Sequence, residues 1–182
     1  DPTAEWLRDP QANMFVPLLE YDYAAGEVIY AGATSYDVSA DGTVWTFDIR
    51  DNWNWSNGDP VTAYDYEFGF RRIVDPETVS PISWRIFNIV NAAAVNAGDL
   101  PVEELGVRAI DDDTLEITLT AAAAYFAISL HSVGHALPIA TVEQYGDDWV
   151  LPENIVVNGA YTMTEWVQTD YMVFEKNPSY YN

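Results

Sequence analysis

The feature that most constrains the fold is residues 44–74, where the spacing of apolar residues changes from that of a strand to that of a helix. Trp45, Phe47 and Ile49 alternate with polar residues, which is typical of a strand with one buried face. Apolar residues then recur at helical spacing at Ala63, Tyr66, Phe70, Ile73 and Val74. The segment therefore predicts a strand followed by a helix that packs with it, and so a domain of mixed α and β structure.

The run that joins these two elements, RDNWNWSNGDPVTAYD at residues 50–65, is rich in polar residues around two tryptophans. A calcium loop of the EF-hand type needs oxygen ligands at its first, third and fifth positions. Counted from Asp51, the third and fifth positions hold Trp53 and Trp55, so the spacing disfavours calcium. The tryptophans would share one face of an extended segment, either as a platform for sugars or, as we favour, packed into the core.

The same run carries local signals for a turn and for the start of a helix. The sequence NGDP at residues 57–60 is typical of a turn. Thr62 followed by Asp65 resembles a capping box, and Asp75-Pro76 ends the predicted helix.

The remaining elements follow from the same periodicities. We predict helices over residues 82–97, 121–130 and 138–145, a hairpin of 107–110 with 114–120, strands at 155–157, 161–167 and 172–175, and a loop or short helix over 1–17. This order is of the α/β class, as an α+β mixture, because strands and helices do not alternate regularly.

The charge balance limits the possible partners. The chain has 29 acidic residues, six arginines and a single lysine, for a formal net charge of −22. Such a surface repels nucleic acid and anionic membranes. It suits a saline environment, which we favour, or cationic ligands. The chain has no cysteine, which excludes disulfides and thiolate metal sites, and it has no apolar run long enough to span a membrane.

No catalytic apparatus stands out. His131 and His135 are four residues apart, but Gly134 lies between them and Pro138 follows, so we predict no metal site. No nucleophile motif and no phosphate loop is present, and the many carboxylates point only weakly to a glycosidase. We therefore predict no catalytic residue and no cofactor.

Three segments, in order, resemble a known family. DGTVWTFDIRDNWNWSNGDPVTAYDYEFGFRRIVDPETVSP, LGVRAIDDDTLEITLTAAAAYF and LPENIVVNGAYTMTEWVQTDYMVFEKNPSYY resemble consecutive parts of the extracellular solute-binding proteins of oligopeptide and dipeptide ABC importers. The resemblance runs from about Glu20 to the C-terminus.

The resemblance implies a two-lobed periplasmic-binding-protein fold of type II-like topology, of which this chain would hold part of the first lobe. Residues 1–32 would begin that lobe, 33–139 would form an inserted small α+β domain, and 140–182 would return to the lobe. The second lobe would be absent, and the start at Asp1-Pro2 suggests processing or truncation. Exposed apolar surface should then make the isolated chain aggregate or melt at low temperature.

The resemblance also implies ligand-binding residues, by position in matching motifs. Glu20 lies where the family has a cleft glutamate, and His131 matches a cleft histidine. Ile82 stands where oligopeptide binders have a ligand-facing tyrosine, and Trp84 could compensate for that change. The acid that pairs with the peptide α-amino group would lie in the absent lobe.

The implied function is capture of peptides in an inter-lobe cleft and their delivery to ABC permease subunits. The protein would work in the periplasm or on the outer face of the cytoplasmic membrane, and a lipid anchor upstream of this chain would be compatible with that location. The same fold could instead bind nickel, heme or an oligosaccharide. A carbohydrate-active enzyme and a structural subunit of an assembly are the alternatives from other classes.

Overall fold

The computed structural model describes residues 8–182. The helices are α1 (Arg8–Met14), α2 (Ala63–Val74), α3 (Ala92–Asn96), α4 (Phe126–Val133) and α5 (Ile139–Tyr145), with 3-10 turns at Ser83–Ile86, Val102–Glu104 and Gly146–Val150. The strands are β1 (Leu19–Asp22), β2 (Glu27–Tyr30), β3 (Ala33–Val38), β4 (Val44–Ile49), β5 (Val107–Ala109), β6 (Thr114–Thr118), β7 (Tyr161–Val167) and β8 (Tyr171–Lys176). Within this range no helix combines the length and hydrophobicity that crossing a membrane would require.

The chain contacts divide the molecule into two compact units. One unit comprises residues 17–50 and 62–136, and the other comprises residues 8–16 together with 51–61 and 137–182. The boundaries predicted for the lobe segments and the inserted domain stay a prediction.

The 17–50/62–136 unit is built on a four-stranded antiparallel sheet with the strand order β3-β4-β6-β5. The predicted alternation of β4 is confirmed, since Trp45, Phe47 and Ile49 are buried. The predicted hairpin of β5 and β6 is also confirmed, with Val107 opposite Ile117. Helix α2 packs on β5 and β6, so the helix and the sheet bury their apolar faces together.

Helix α2 begins at the predicted capping box. The backbone N–H of Thr62 donates to Oδ2 of Asp65 at 2.9 Å, and both halves of the box are present. The N–H of Ala63 donates to the carbonyl oxygen of Asp112 at 2.7 Å. The three aspartates at residues 111–113 form the turn of the β5–β6 hairpin. Through the carbonyl oxygen of Asp112 they also provide an acceptor for the first N–H group of α2.

Replacing Asp65 with alanine should lower the free energy of unfolding by about 1 kcal/mol, because the backbone N–H and the hydroxyl of Thr62 lose their acceptor. The measurement is urea unfolding followed by circular dichroism, with exposed Glu77→Ala beyond the helix as the control. Equal midpoints for the two variants would contradict this role of Asp65.

The second unit contains the two tryptophans of the opening run. Trp53 is 1% and Trp55 is 2% exposed, so packing is confirmed and the sugar platform is wrong. The indole N–H of Trp53 donates to the carbonyl oxygen of Asn158 at 3.1 Å. The predicted turn is confirmed as well, because the N–H of Gly58 donates to the carbonyl oxygen of Trp55 at 2.9 Å.

The helix predicted over residues 82–97 is wrong as a continuous element, since a 3-10 turn and the short α3 take its place. Asn91 lies between them with a left-handed φ of 65°, and its amide donates to the carbonyl oxygen of Glu104 at 2.7 Å. The N–H of Val90 donates to the carbonyl oxygen of Thr118 at 2.9 Å. Bonds to distant segments thus replace the helical bonds here.

Two further predictions need correction. The strand predicted at residues 155–157 is wrong, because this segment joins no ladder. It is held instead by Ser56, whose N–H donates to the carbonyl oxygen of Val157 at 2.8 Å and whose Oγ accepts from the N–H of Val157 at 3.1 Å. The buried helix predicted over residues 121–130 begins only at Phe126 and continues to Val133.

Candidate functional site

The predicted ligand residue His131 lies in a small aromatic cluster. Helix α4 packs on β1, which brings His131 beside Tyr21 and Tyr23 at the end of the β1–β2 hairpin. The ring centroids of Tyr23 and His131 are 5.9 Å apart, and those of Tyr21 and Tyr23 are 5.0 Å apart, both in edge-to-face geometry. We call these three residues the Tyr21–Tyr23–His131 cluster.

Both ring nitrogens of His131 have partners inside the protein. Nδ1 lies against the carbonyl oxygen of Ile128, one helical turn earlier. Nε2 lies 2.9 Å from the hydroxyl of Tyr23. A carbonyl oxygen can only accept, so Nδ1 carries a proton, and in the neutral imidazole Nε2 then accepts from the tyrosine.

Glu20 is exposed on β1, opposite Ile29 of β2. Because successive side chains of a strand point to opposite faces, Glu20 lies on the other face of the hairpin from Tyr21. The structure therefore places Glu20 and His131 on neighbouring elements, and the hydrogen bonds of His131 go to Tyr23 and Ile128.

Ile82 and Trp84 lie elsewhere, at the 3-10 turn Ser83–Ile86. Trp84 is 63% exposed, and the guanidinium of Arg85 lies 5.6 Å from its ring centroid, whereas Ile82 is half-buried. Within residues 8–182, no hydrogen bond or ring contact joins Trp84 to Glu20 or His131. Trp84 presents an aromatic surface to solvent, while Ile82 supports the turn.

The second histidine belongs to the chain segment after α4. Burial lowers the pKa of His135 to about 4, with a smaller contribution from the neighbouring His131. Its imidazole is therefore neutral at physiological pH. In the described part of the chain, no three His, Cys, Asp or Glu side chains are grouped as a metal site would require.

Sequence reasoning missed Tyr21 and Tyr23. Strand β1 has only four residues, so its alternation is too short to stand out. Asp22 closes the turn that follows, since its Oδ1 accepts from the N–H groups of Ala24 and Ala25 at 2.8 and 3.1 Å. The sequence YDY in front of AAG was the available signal, because an Asp that caps a turn leaves its two neighbours on one strand face.

The arrangement offers hydrogen-bond acceptors and aromatic surface. The Tyr21–Tyr23–His131 cluster supplies an exposed phenol, β1 supplies an exposed carboxylate, and Trp84 supplies an exposed indole. These groups suit reversible binding of a polar ligand.

Comparisons with a family model, with known sequences and with solved structures all find bacterial binding proteins. Residues 27–182 match the family model of bacterial extracellular solute-binding proteins, family 5 Middle. The periplasmic oligopeptide-binding protein OppA of Escherichia coli K12 is 41% identical over 153 residues, which are 82% of this chain and 28% of the relative. The probable deoxycholate-binding periplasmic protein YgiS of the same organism is 38% identical over 158 residues, which are 85% of this chain and 30% of the relative.

A solved structure of Haemophilus influenzae OppA in complex with the peptide RPPGFSPFR superposes with a TM-score of 0.86 at 36% identity. The superposition covers 93% of this chain and 33% of that one. The chain thus spans about a third of the length of the relatives it matches, and the expected mixed α/β portion of a periplasmic binding-protein fold is confirmed. Since the family model covers most of the sequence, the chain belongs to family 5 of the bacterial extracellular solute-binding proteins.

Proposed function

We propose that the complete protein carrying this chain is the substrate-binding component of an ABC importer and captures peptides. The observation that carries this proposal is the match of 93% of the chain to a structure that holds a peptide. The protein would work in the periplasm or on the extracellular face of the cytoplasmic membrane, and would pass its ligand to permease subunits. It would bind its substrate reversibly and would not act as an enzyme.

Peptide capture of this kind requires little chemistry from the protein. Backbone groups can bond the main chain of an extended peptide, which gives affinity that is independent of the side chains. Water in roomy side-chain pockets can bridge groups that do not match. Closure of two lobes around the ligand provides a state that a permease can distinguish from the empty one.

Four positions of this chain support the proposal. The carboxylate of Glu20 is exposed and could accept a hydrogen bond from an N–H group of the peptide. Trp84 is exposed and could cover an apolar side chain, and Ile82 lies at the start of the same 3-10 turn. His131 would contribute through the Tyr21–Tyr23–His131 cluster, because its own nitrogens are occupied.

A second candidate ligand is a bile acid. A relative named as probably deoxycholate-binding is nearly as similar to this chain as the oligopeptide binder is, at 38% against 41% identity. Exposed aromatic side chains such as Trp84 would suit an apolar steroid as well as a peptide.

Peptides of three to five residues should bind the complete gene product with a dissociation constant of about 1 μM or below, a free energy of about −8 kcal/mol. Isothermal titration calorimetry distinguishes the candidate ligands, which are tri- to pentaalanine, deoxycholate, a nickel salt, heme and a cello-oligosaccharide. Mass spectrometry of ligand that copurifies gives an independent answer.

Trp84→Ala should weaken peptide binding about tenfold, because an exposed aromatic surface is lost. Tyr145→Ala, which removes another partly exposed ring, should leave it unchanged. Binding of deoxycholate or sugar but no peptide would refute the proposal, as would hydrolysis of a glycoside.

A further inference from the structure

The most exposed aromatic side chain of the Tyr21–Tyr23–His131 cluster is Tyr23, at 76% exposure. Its phenol nevertheless has a fixed partner, since the hydroxyl oxygen lies 2.9 Å from Nε2 of His131. Fixing a flexible, exposed side chain in such a contact costs conformational entropy. The edge-to-face contacts with Tyr21 and with His131 reduce that cost by restricting the ring.

The direction of the hydrogen bond between Tyr23 and His131 follows from the contact that His131 makes within α4. Nδ1 of His131 donates to the carbonyl oxygen of Ile128, so Nε2 of the neutral ring has a lone pair and no proton. The single proton of the Tyr23 hydroxyl must then point at Nε2. The outward side of the phenol oxygen therefore presents lone pairs only.

We propose that the Tyr23 hydroxyl is a ligand-binding group that selects nitrogen donors, namely the lysine or arginine side chain of a bound peptide. The inference rests on the proposed peptide-binding function and specifies its substrate class. His131 acts in it as a positioning residue, because it fixes the phenol proton and does not itself contact the ligand.

The surroundings favour a cation over a neutral donor. Residues 18–49 contain no lysine or arginine, and neither does α4, so no cationic side chain of these segments repels a basic ligand. The tyrosine rings offer faces that attract ammonium and guanidinium groups, and the net charge of −22 attracts basic peptides at low salt.

The test is isothermal titration of the complete protein with tetrapeptides in 50 mM salt. Tetraalanine is compared with peptides that carry lysine, or its uncharged analogue norleucine, at each position in turn. At one position lysine should bind about tenfold more tightly than norleucine, mainly through one charge-assisted hydrogen bond to the Tyr23 hydroxyl. In Tyr23→Phe this ratio should fall to about two or less.

Two further variants test whether the Tyr23 hydroxyl selects the ligand or only supports the fold. Tyr64→Phe removes a partly exposed hydroxyl of α2 and should keep the tenfold ratio of the unmodified protein. His131→Leu frees the Tyr23 proton, so the hydroxyl can also donate. The preference for lysine over glutamine at that position should then fall about threefold, because the glutamine carbonyl gains a donor. Circular dichroism checks that each variant is folded.

The possible results distinguish the two proposals. If tetraalanine and all its derivatives fail to bind, the proposed function is wrong. If the peptides bind but the lysine ratio persists in Tyr23→Phe, or no position favours lysine, the inference about Tyr23 is overturned. An unchanged lysine-to-glutamine ratio in His131→Leu would show that the histidine does not set the direction of the hydrogen bond.

Discussion

Replacing Gly159 with alanine should lower the free energy of unfolding by about 3 kcal/mol, at the upper end for overpacking. A Cβ atom at this position would lie 2.5 Å from the carbonyl oxygen of Asn13, 2.6 Å from the carbonyl carbon of Met14 and 2.8 Å from its oxygen. These are backbone atoms, so no change of rotamer can relieve the overlap. The N–H of Gly159 also donates to the carbonyl oxygen of Met14 at 2.8 Å, which would have to lengthen.

Gly98→Ala is the matched control, because Gly98 has a φ of 79° and open space around its Cβ position. This variant should lose only about 1 kcal/mol, the cost of a left-handed alanine. Chemical unfolding of both variants followed by tryptophan fluorescence gives the comparison. If Gly159→Ala unfolds within 0.5 kcal/mol of the unmodified protein, the backbone approach at Gly159 is not tight.

The parts of the fold that could be predicted are those determined by local sequence. The alternation of Trp45, Phe47 and Ile49 and the capping box at Thr62 both depend on neighbouring residues alone. The failed helix over residues 82–97 has helical spacing of apolar residues, yet bonds to distant strands and loops displace it. The left-handed Asn91, held by the carbonyl oxygen of Glu104, is a contact that local periodicity does not reveal.

Local sequence reveals even less of the candidate site than of the fold. Glu20 and His131 were found through the resemblance, because each lies in a motif that can be aligned. Tyr23 was missed, since its partner His131 is 108 residues away in sequence. The direction of their hydrogen bond depends in addition on the carbonyl oxygen of Ile128. A sequence pattern contains neither the distance nor the direction, so the donor selectivity inferred for Tyr23 required the structure.

The acidic composition has a consequence for stability as well as for ligand choice. With 29 acidic residues and seven basic ones, most carboxylates have no lysine or arginine to pair with. The ion pairs that do form include Arg71 with Glu67 at 2.8 Å and Arg108 with Glu116 at 3.8 Å. The remaining like charges repel one another more in the compact state than in the expanded unfolded chain.

Raising the NaCl concentration from 0.05 to 1 M should therefore raise the melting temperature by about 10 °C, because the screening length falls to about 3 Å. Differential scanning fluorimetry across this range gives the measurement. A variant with three exposed acids neutralised, Asp37→Asn, Asp99→Asn and Glu103→Gln, serves as the comparison. It should melt higher than the unmodified protein at low salt and gain less from added salt, since less repulsion remains to be screened. Stabilisation that is equal in the two proteins would instead assign the effect to general salting-out of apolar surface.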